Sequence, residues 1–188
     1  MQWNDHSRLK GDHAFLSASK YHWLNYTPDK LIESFKNAQA ATEGTKTHEF
    51  AALCIERGQK LPSRPATTLS LYVNDAIGFR MTPEQVLYYS ENCFGTADAI
   101  LFRKGMLRIH DLKTGIIPAH MEQLEIYAAL FCLEYKVKPT DIDMELRIYQ
   151  NNASIIHVPE KQKIYDITQK IVEYDNILKE YKINNGYL

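Results

Sequence analysis

The sequence lacks the features that mark several classes of protein. Its 188 residues hold three cysteines, Cys54, Cys93 and Cys132, with no short spacing between them, which argues against a disulfide framework or a zinc knuckle and suits a reducing compartment. No stretch approaches the roughly 18 consecutive apolar residues of a membrane helix. The N-terminus MQWNDHSRLKGDH has no apolar core to serve as a signal peptide. We therefore expect a cytoplasmic protein without a membrane partner.

An excess of charge of one sign is also missing. The chain has 22 Lys+Arg against 23 Asp+Glu, a formal net charge of -1, so no global positive field indicates a nucleic-acid binder. Glycine and proline are few, at 8 and 7 residues, while hydrophobic residues reach 45%, which excludes a fibrous or disordered chain. Length predicts one domain over residues 1–188, with 1–12 polar and flexible.

The first third of the chain is predicted to be helical. Ser17 or Ser19 is a candidate N-cap for a short helix that carries Tyr21, Trp23 and Leu24. A second helical pattern follows Pro28 over residues 31–38, and a third runs from Thr45 to Arg57, where Gly58 ends it. Residues 58–70, with two prolines, predict a loop or a lid.

The remainder predicts an α/β fold. The strand candidates are VLYYS from Val86, TADAILF, MLRIHDL, MELRIYQ and SIIHV, and the helix candidates are residues 119–135 and about 160–183. Because a helix separates MLRIHDL from MELRIYQ, these two strands should be parallel and joined by a right-handed crossover. We therefore expect a mixed central sheet flanked by helices.

One hairpin places two acidic residues face to face. If Lys104 and Gly105 form a two-residue loop, Arg103 pairs with Met106 and Asp98 then faces Asp111; a three-residue loop would shift this register. Facing side chains have Cβ atoms about 4.5–5.5 Å apart, and two like charges at that distance are destabilising without a cation between them. A divalent metal is the obvious candidate.

Lys113 lies on the same face as Asp111, two residues further along the strand. Carboxylates, a main-chain carbonyl and water suit Mg²⁺ or Mn²⁺, and a lysine beside such a metal can orient or help deprotonate an attacking water. This pattern indicates a hydrolytic phosphodiester site. The alternative is that Asp98 and Asp111 are ordinary strand-end acids with Lys113 as their salt-bridge partner, since Asp-x-Lys is short.

Four motifs resemble those of a known superfamily. The run GTADAILFRKGMLRIHDLKTG followed by QLEIYA resembles the core of the PD-(D/E)xK nucleases in their RecB-like branch. EGTKTHEFAALC resembles the first-helix motif of that branch, with its metal-binding histidine. HAFLSASKYHWLNYTP resembles the opening segment of phage-encoded members related to the CRISPR adaptation exonucleases. The likeness covers roughly residues 13 to 175.

The resemblance implies a restriction-endonuclease-like core and a role for each matching residue. It implies that His48, Asp98 and Asp111 are metal ligands together with the Leu112 carbonyl, and that Lys113 positions the nucleophile. Gln123 and Tyr127, at i and i+4, would brace the catalytic strand or touch DNA. Glu84 matches a frequently acidic position and could reach a second metal. Taken alone, His48 and Tyr127 could instead be core residues.

Relatives of this branch often carry an iron–sulfur cluster, but this sequence departs from their pattern. Tyr26 stands where the first cluster cysteine is expected, and no cysteine follows Cys132. We therefore expect no cluster. The P-loop pattern G-x-x-x-x-G-K-[ST] is also missing, so the resemblance does not extend to a helicase motor in this chain.

Local DNA contacts have candidates of their own. Arg57, Lys60 and Arg64 could bind phosphates, or form an ordinary solvated loop. Trp23 and Tyr26 could stack on bases of a single strand, or be core.

We expect a Mg²⁺- or Mn²⁺-dependent DNA nuclease, most simply an exonuclease acting on single strands or DNA ends in phage or host recombination, replication or repair. A recombination or replication protein as partner and a homo-oligomer both remain open. The alternative function is a DNA- or protein-binding module on the same fold, with vestigial or partner-dependent hydrolysis.

Overall fold

A computed structural model describes residues 15–16, 23–115 and 119–185. The chain divides into two compact units, Met1–Thr45 and Lys46–Leu188. In the first unit, residues 23–25 form a 3-10 turn, and the rings of Phe15 and Phe35 pack edge to face with centroids 5.2 Å apart. Residues 1–12, which were predicted to be flexible, and the candidate caps Ser17 and Ser19 lie outside the described residues.

The two helices predicted after Pro28 are one continuous helix, α1 (Pro28–Glu56). The expected break near Thr45 was wrong, because the Thr45 hydroxyl does not cap a new helix. It donates instead to the carbonyl of Ala41, one turn earlier, at 3.2 Å. The predicted stop is confirmed within two residues, since Gly58 has the left-handed φ of +64° that a helix terminus favours.

A second helix, α2 (Thr68–Phe79), occupies a region in which no helix was predicted. The predicted loop over 58–70 therefore ends at Thr67. Thr67 caps α2 in a capping box, in which its side chain accepts the Ser70 amide at 3.1 Å and its own amide donates to the Ser70 hydroxyl at 2.9 Å. Buried Tyr72, Val73 and Ala76 hold α2 against the rest of the second unit.

Five strands form one mixed sheet in the order β1-β2-β3-β4-β5. The strands are β1 (Thr82–Ser90), β2 (Cys93–Arg103), β3 (Met106–Leu112), β4 (Asp143–Gln150) and β5 (Ala153–His157), and the later helices are α3 (Glu122–Glu134) and α4 (Lys161–Asn184). β3 and β4 are parallel and every other pair is antiparallel. The predicted mixed sheet with flanking helices is confirmed. Within the described residues, no helix has the length and apolarity that crossing a membrane requires.

The predicted register of the β2–β3 hairpin is also confirmed. The facing pairs run from Arg103↔Met106 to Ala99↔His110. Lys104 and Gly105, with φ of +53° and +75°, form the two-residue loop. The register therefore brings the next residues in each strand, Asp98 and Asp111, toward one end of the hairpin.

Two apolar clusters fix the sheet in the second unit. One packs strand residues such as Leu107 and Ile109 against Leu124 and Ala128 of α3. The other packs Leu112 and Tyr149 of the sheet against α2 and against the end of α1, with Ala51 and Cys54. This second cluster holds α1 beside the strand that carries Asp111. The packing of Ala51, three residues after His48, therefore fixes the position of His48.

Candidate metal centre

Three side chains from three elements converge beside the β2–β3 hairpin. His48 comes from α1, Glu84 from β1 and Asp98 from β2, and each offers a ligand atom within 4.8 Å of the other two. His48 Nδ1 lies 3.3 Å from Asp98 Oδ2. The same Asp98 oxygen accepts a hydrogen bond from the Leu112 amide at 2.8 Å, which fixes the carboxylate in place.

Glu84 reaches this group through an unusual backbone conformation. Its φ is +47° although it lies within β1, and the pairs Pro83↔Ala99 and Gln85↔Ala97 bracket it opposite Asp98. A left-handed residue other than glycine inside a strand costs about 1–3 kcal/mol, and such residues concentrate at functional sites. The resemblance implied a role for Glu84 at a second metal. The structure places it in the same group as His48 and Asp98.

Asp111 lies on the neighbouring strand, outside that group of three. It is 1% exposed. Lys113 Nζ donates to Asp111 Oδ1 at 3.2 Å and lies 3.0 Å from Oδ2. Oδ2 is buried, and the cation described beside it is the Lys113 ammonium. A buried carboxylate oxygen without a hydrogen bond is costly unless something cationic satisfies it.

Lys113 is held by a chain of polar contacts from α3. Its Nζ donates to Gln123 Oε1 at 2.8 Å, and Gln123 Nε2 donates to the Tyr127 hydroxyl at 3.2 Å. The structure thus brings together the i and i+4 residues that the sequence placed on one helix face. Gly95 on β2 makes room for the Tyr127 ring, because a Cβ at position 95 would lie 2.9 Å from Tyr127 Cε1.

The electrostatics of the site favour a cation. Burial and the charge of Asp98 raise the pKa of Asp111 to about 6, although Lys113 opposes them. Partial burial and Asp98 also raise the pKa of Glu84. The hydrogen bond to Asp98 raises the pKa of His48. Burial is the largest cause of the raised pKa of Asp111 and of Glu84, and Asp98 contributes to the raised pKa of all three groups.

The donor set fits a divalent metal ion. Carboxylate oxygens suit Mg²⁺ and Mn²⁺, and an imidazole nitrogen is compatible with Mn²⁺. Asp111 Oδ2 lies 3.0 Å from Lys113 Nζ, so the lysine already compensates part of its charge. His48, Glu84 and Asp98 are the residues that would hold the ion, with Asp111 beside them. The contact described for Leu112 is its amide donating to Asp98, and the role of its carbonyl stays a prediction.

The remaining predicted DNA-binding residues belong to other segments of the chain. Arg57 directly follows α1, and Lys60 and Arg64 lie in the connection between α1 and α2. All three side chains are exposed. Trp23 and Tyr26 belong to the first unit, where Tyr26 is 37% exposed and Trp23 is half-buried. His110, next to Asp111, is fully buried and lies 3.2 Å from the Tyr149 hydroxyl through Nδ1.

Neither the space that Gly95 leaves for the Tyr127 ring nor the helix α2 was predicted from the sequence. The signal for Gly95 was present, since a glycine interrupts a strand of otherwise larger residues. Comparison with protein-family models and with curated proteins finds no match to this chain.

Proposed function

We propose that this chain is a Mg²⁺- or Mn²⁺-dependent deoxyribonuclease with a restriction-endonuclease-like core, acting as an exonuclease on DNA. The observation that carries the proposal is the juxtaposition of two groups on adjacent strands. One is the His48, Glu84 and Asp98 cluster, and the other is the buried Asp111 paired with Lys113. The exonuclease assignment and a role in recombination, replication or repair rest on the resemblance of the motifs.

Each residue of the site has a role in phosphodiester hydrolysis. A bound divalent ion would supply Lewis-acid stabilisation of the phosphoryl oxygens and a more acidic water. Lys113 lies where its ammonium group can orient the attacking water beside Asp111. Water attacks phosphorus and releases one proton to solvent, the ester P–O bond breaks, and the leaving oxygen takes a proton from solvent water. Gln123 and Tyr127 keep Lys113 in position through their hydrogen bonds.

The test is cleavage of linear and covalently closed DNA, each single- and double-stranded, with Mn²⁺ or with EDTA. We expect linear DNA to be degraded to short products in Mn²⁺, and closed single-stranded circles to survive. EDTA should abolish the degradation. Efficient cutting of circles would establish endonuclease action instead.

Binding without cleavage in Mn²⁺ would favour a DNA-binding module with vestigial or partner-dependent hydrolysis. A fluorescence anisotropy titration with the same DNA substrates distinguishes that outcome from a protein that does not bind DNA.

A further inference from the structure

A cavity of about 400 Å³, lined mainly by threonine and asparagine residues, opens beside Lys113. Its walls come from four parts of the second unit, and the residues on which the argument depends are Thr47, Thr68, Lys113, Thr114, Asn151 and Asn152. None of the three metal-ligand candidates lines the cavity, but its wall residue Lys113 contacts the Asp111 carboxylate, with Nζ 3.0 Å from Oδ2. Anything bound there would lie beside the candidate metal centre.

We propose that this cavity binds the nucleotide next to the scissile phosphate, through its phosphate and sugar and without reading its base. The inference rests on the proposed nuclease function, and it adds a substrate subsite to that function. The volume is within the range of about 300–1,000 Å³ that is typical of sites for small molecules.

The chemistry of the walls supports an anionic occupant. No carboxylate lines the cavity in the described part of the chain, and its one cation is Lys113. The adjoining centre has the opposite character, with Glu84, Asp98 and Asp111 close together. Hydroxyl, amide and lysine groups are among the side chains that contact phosphate and sugar oxygens in protein–DNA complexes, and those contacts carry no sequence information.

The walls are fixed to one another before any ligand binds. The Asn152 side-chain oxygen Oδ1 accepts a hydrogen bond from the Thr68 backbone amide at 2.9 Å. The Asn152 backbone amide donates to the Thr68 hydroxyl at 2.7 Å. Asn151 and Asn152 both have left-handed φ, at +52° and +58°, as a tight β4–β5 turn requires. The turn is therefore bonded directly to the start of α2.

The segment after β3 is fixed to the end of β4, which directly precedes that turn. Gln150 Nε2 donates to the Gly115 carbonyl at 2.7 Å, and its Oε1 accepts the Ala119 amide at 3.3 Å. The Lys113 amide donates to the Tyr149 carbonyl at 2.9 Å. A cavity whose walls are held in this way loses little freedom when a ligand enters, which favours binding.

The experiment places a carboxylate in the cavity and measures DNA binding separately from cleavage. Asn151→Asp keeps a residue type that tolerates the left-handed conformation and adds a negative charge. Asn176→Asp, on the exposed face of α4, is its matched control. Thr114→Glu, with Thr42→Glu on the exposed face of α1 as control, makes the test independent of the turn.

Binding of a fluorescent single-stranded oligonucleotide is measured in EDTA, and cleavage kinetics and Mn²⁺ affinity are measured in parallel. We expect Asn151→Asp and Thr114→Glu to weaken DNA binding and raise KM by about tenfold or more, because a like charge facing a phosphate costs more than about 1.4 kcal/mol. The kcat and the Mn²⁺ affinity should stay close to wild type. Oligo-dT and oligo-dA should lose affinity by the same factor.

Two results would overturn the subsite. One is wild-type affinity in both cavity variants when the protein cleaves DNA normally, and this would leave the nuclease proposal intact. The other is an affinity loss that differs between oligo-dT and oligo-dA, which would show base reading. If the wild-type protein fails to cleave in Mn²⁺ but only the cavity variants lose DNA affinity, the cavity binds a nucleotide of DNA while the hydrolytic function, and with it a scissile phosphate beside the cavity, is wrong.

Discussion

At the scale of single residues, Asp111 and Lys113 are in direct contact, but we expect their substitutions to have different effects on Mn²⁺ binding. Asp111→Asn removes a buried negative charge beside the metal ligands, so Mn²⁺-induced thermal stabilisation and cleavage should both be lost. Lys113→Met removes a cation, so Mn²⁺ binding should persist or strengthen while cleavage falls by about 10²–10⁴-fold. Calorimetric Mn²⁺ titration and single-turnover cleavage on both variants check this. Normal Mn²⁺ binding by Asp111→Asn, or normal cleavage by Lys113→Met, would restore the salt-bridge interpretation.

Gly95 supports the site through the space it leaves for Tyr127. Gly95→Ala puts a methyl group 2.9 Å from Cε1 of that ring, so the ring must move. We expect this movement to disturb the hydrogen bond from Gln123 to Tyr127, and with it the hydrogen bond from Lys113 to Gln123. We expect cleavage to fall by about tenfold or more, with a stability loss of about 1–3 kcal/mol from overpacking. Cleavage rates and urea unfolding measure the two effects.

The control for this substitution is Gly78→Ala, in α2. A Cβ at position 78 meets no atom within 4 Å, so alanine there should stabilise the helix by about 0.5–1 kcal/mol without changing activity. In a Tyr127→Ala background, Gly95→Ala should have no further effect on cleavage. An additive loss in that background would mean that Gly95 acts by another route.

At the scale of elements, local signals predicted some parts of the molecule well. The Lys104-Gly105 loop fixed the β2–β3 register because few residue pairs adopt two left-handed conformations in succession. Asn151 and Asn152 form the β4–β5 turn with a similar pair of left-handed conformations. From the β2–β3 register it followed that Asp98 and Asp111 approach each other, and the structure confirms the register itself.

Other elements depended on tertiary contacts that a sequence does not display. α2 was missed because Thr67 and Ser70 cap it with hydroxyls, whereas the pattern that marks such a start most clearly ends in Glu or Gln. The continuity of α1 was missed because Gly44 and Thr45 look like a boundary. The surrounding strands hold Glu84 in its left-handed backbone conformation. The residues next to Glu84 in the sequence therefore do not predict its place in the site.

The attachment of α4 to the β1–β2 turn gives an element-scale prediction. Asp175, 2% exposed, accepts hydrogen bonds from Ser90 at 2.6 Å and from Asn92 at 2.9 Å, and Lys179 Nζ lies 2.7 Å from it. Burial alone would raise the pKa of Asp175, but Lys179, Ser90 and Asn92 outweigh it and lower the pKa from 3.8 to about 2. The ionised carboxylate is therefore more stable in the folded protein than in the unfolded chain.

Asp175→Asn should therefore lower the free energy of unfolding by about 1–3 kcal/mol at neutral pH. A depressed folded-state pKa contributes stability that is present above the unfolded value and is lost as the pH falls through the folded value. The gap between wild type and variant should thus be constant above about pH 5 and shrink between about pH 4 and pH 2. Urea unfolding at several pH values measures it, with exposed Asp166→Asn on the same helix as control. A gap that does not narrow in acid would contradict the assignment.

At the scale of the second unit, the topology explains where the site lies. β3 and β4 are parallel and end together at Leu112 and Gln150, and ligands of sheets with parallel strands tend to bind outside the carboxyl ends of those strands. Lys113 follows β3 directly, and the β4–β5 turn at Asn151 and Asn152 follows β4. The candidate catalytic lysine and the cavity beside it therefore occupy the same end of the same strand pair.

For the whole molecule, a formal net charge of -1 means that DNA binding must depend on a few local cations. The slope of log K against log salt is about -0.9 for each phosphate neutralised on duplex DNA. If Arg57, Lys60, Arg64 and Lys113 are the phosphate contacts, the slope for duplex DNA should lie between about -1 and -4. A steeper slope would require a basic surface that none of these residues provides.

Charge reversal decides between a phosphate-binding patch at Arg57, Lys60 and Arg64 and a solvated loop. If the three side chains contact phosphates, replacing all of them with Glu should reduce the slope by about 3 and weaken binding to different sequences equally. The control reverses Lys36, Lys104 and Lys170, three exposed lysines elsewhere, so the net charge falls by the same amount. Long-range repulsion acts on both triple variants alike, whereas counterion release is lost only where contacts are removed. Equal slopes for the two variants would therefore show that Arg57, Lys60 and Arg64 form a solvated loop.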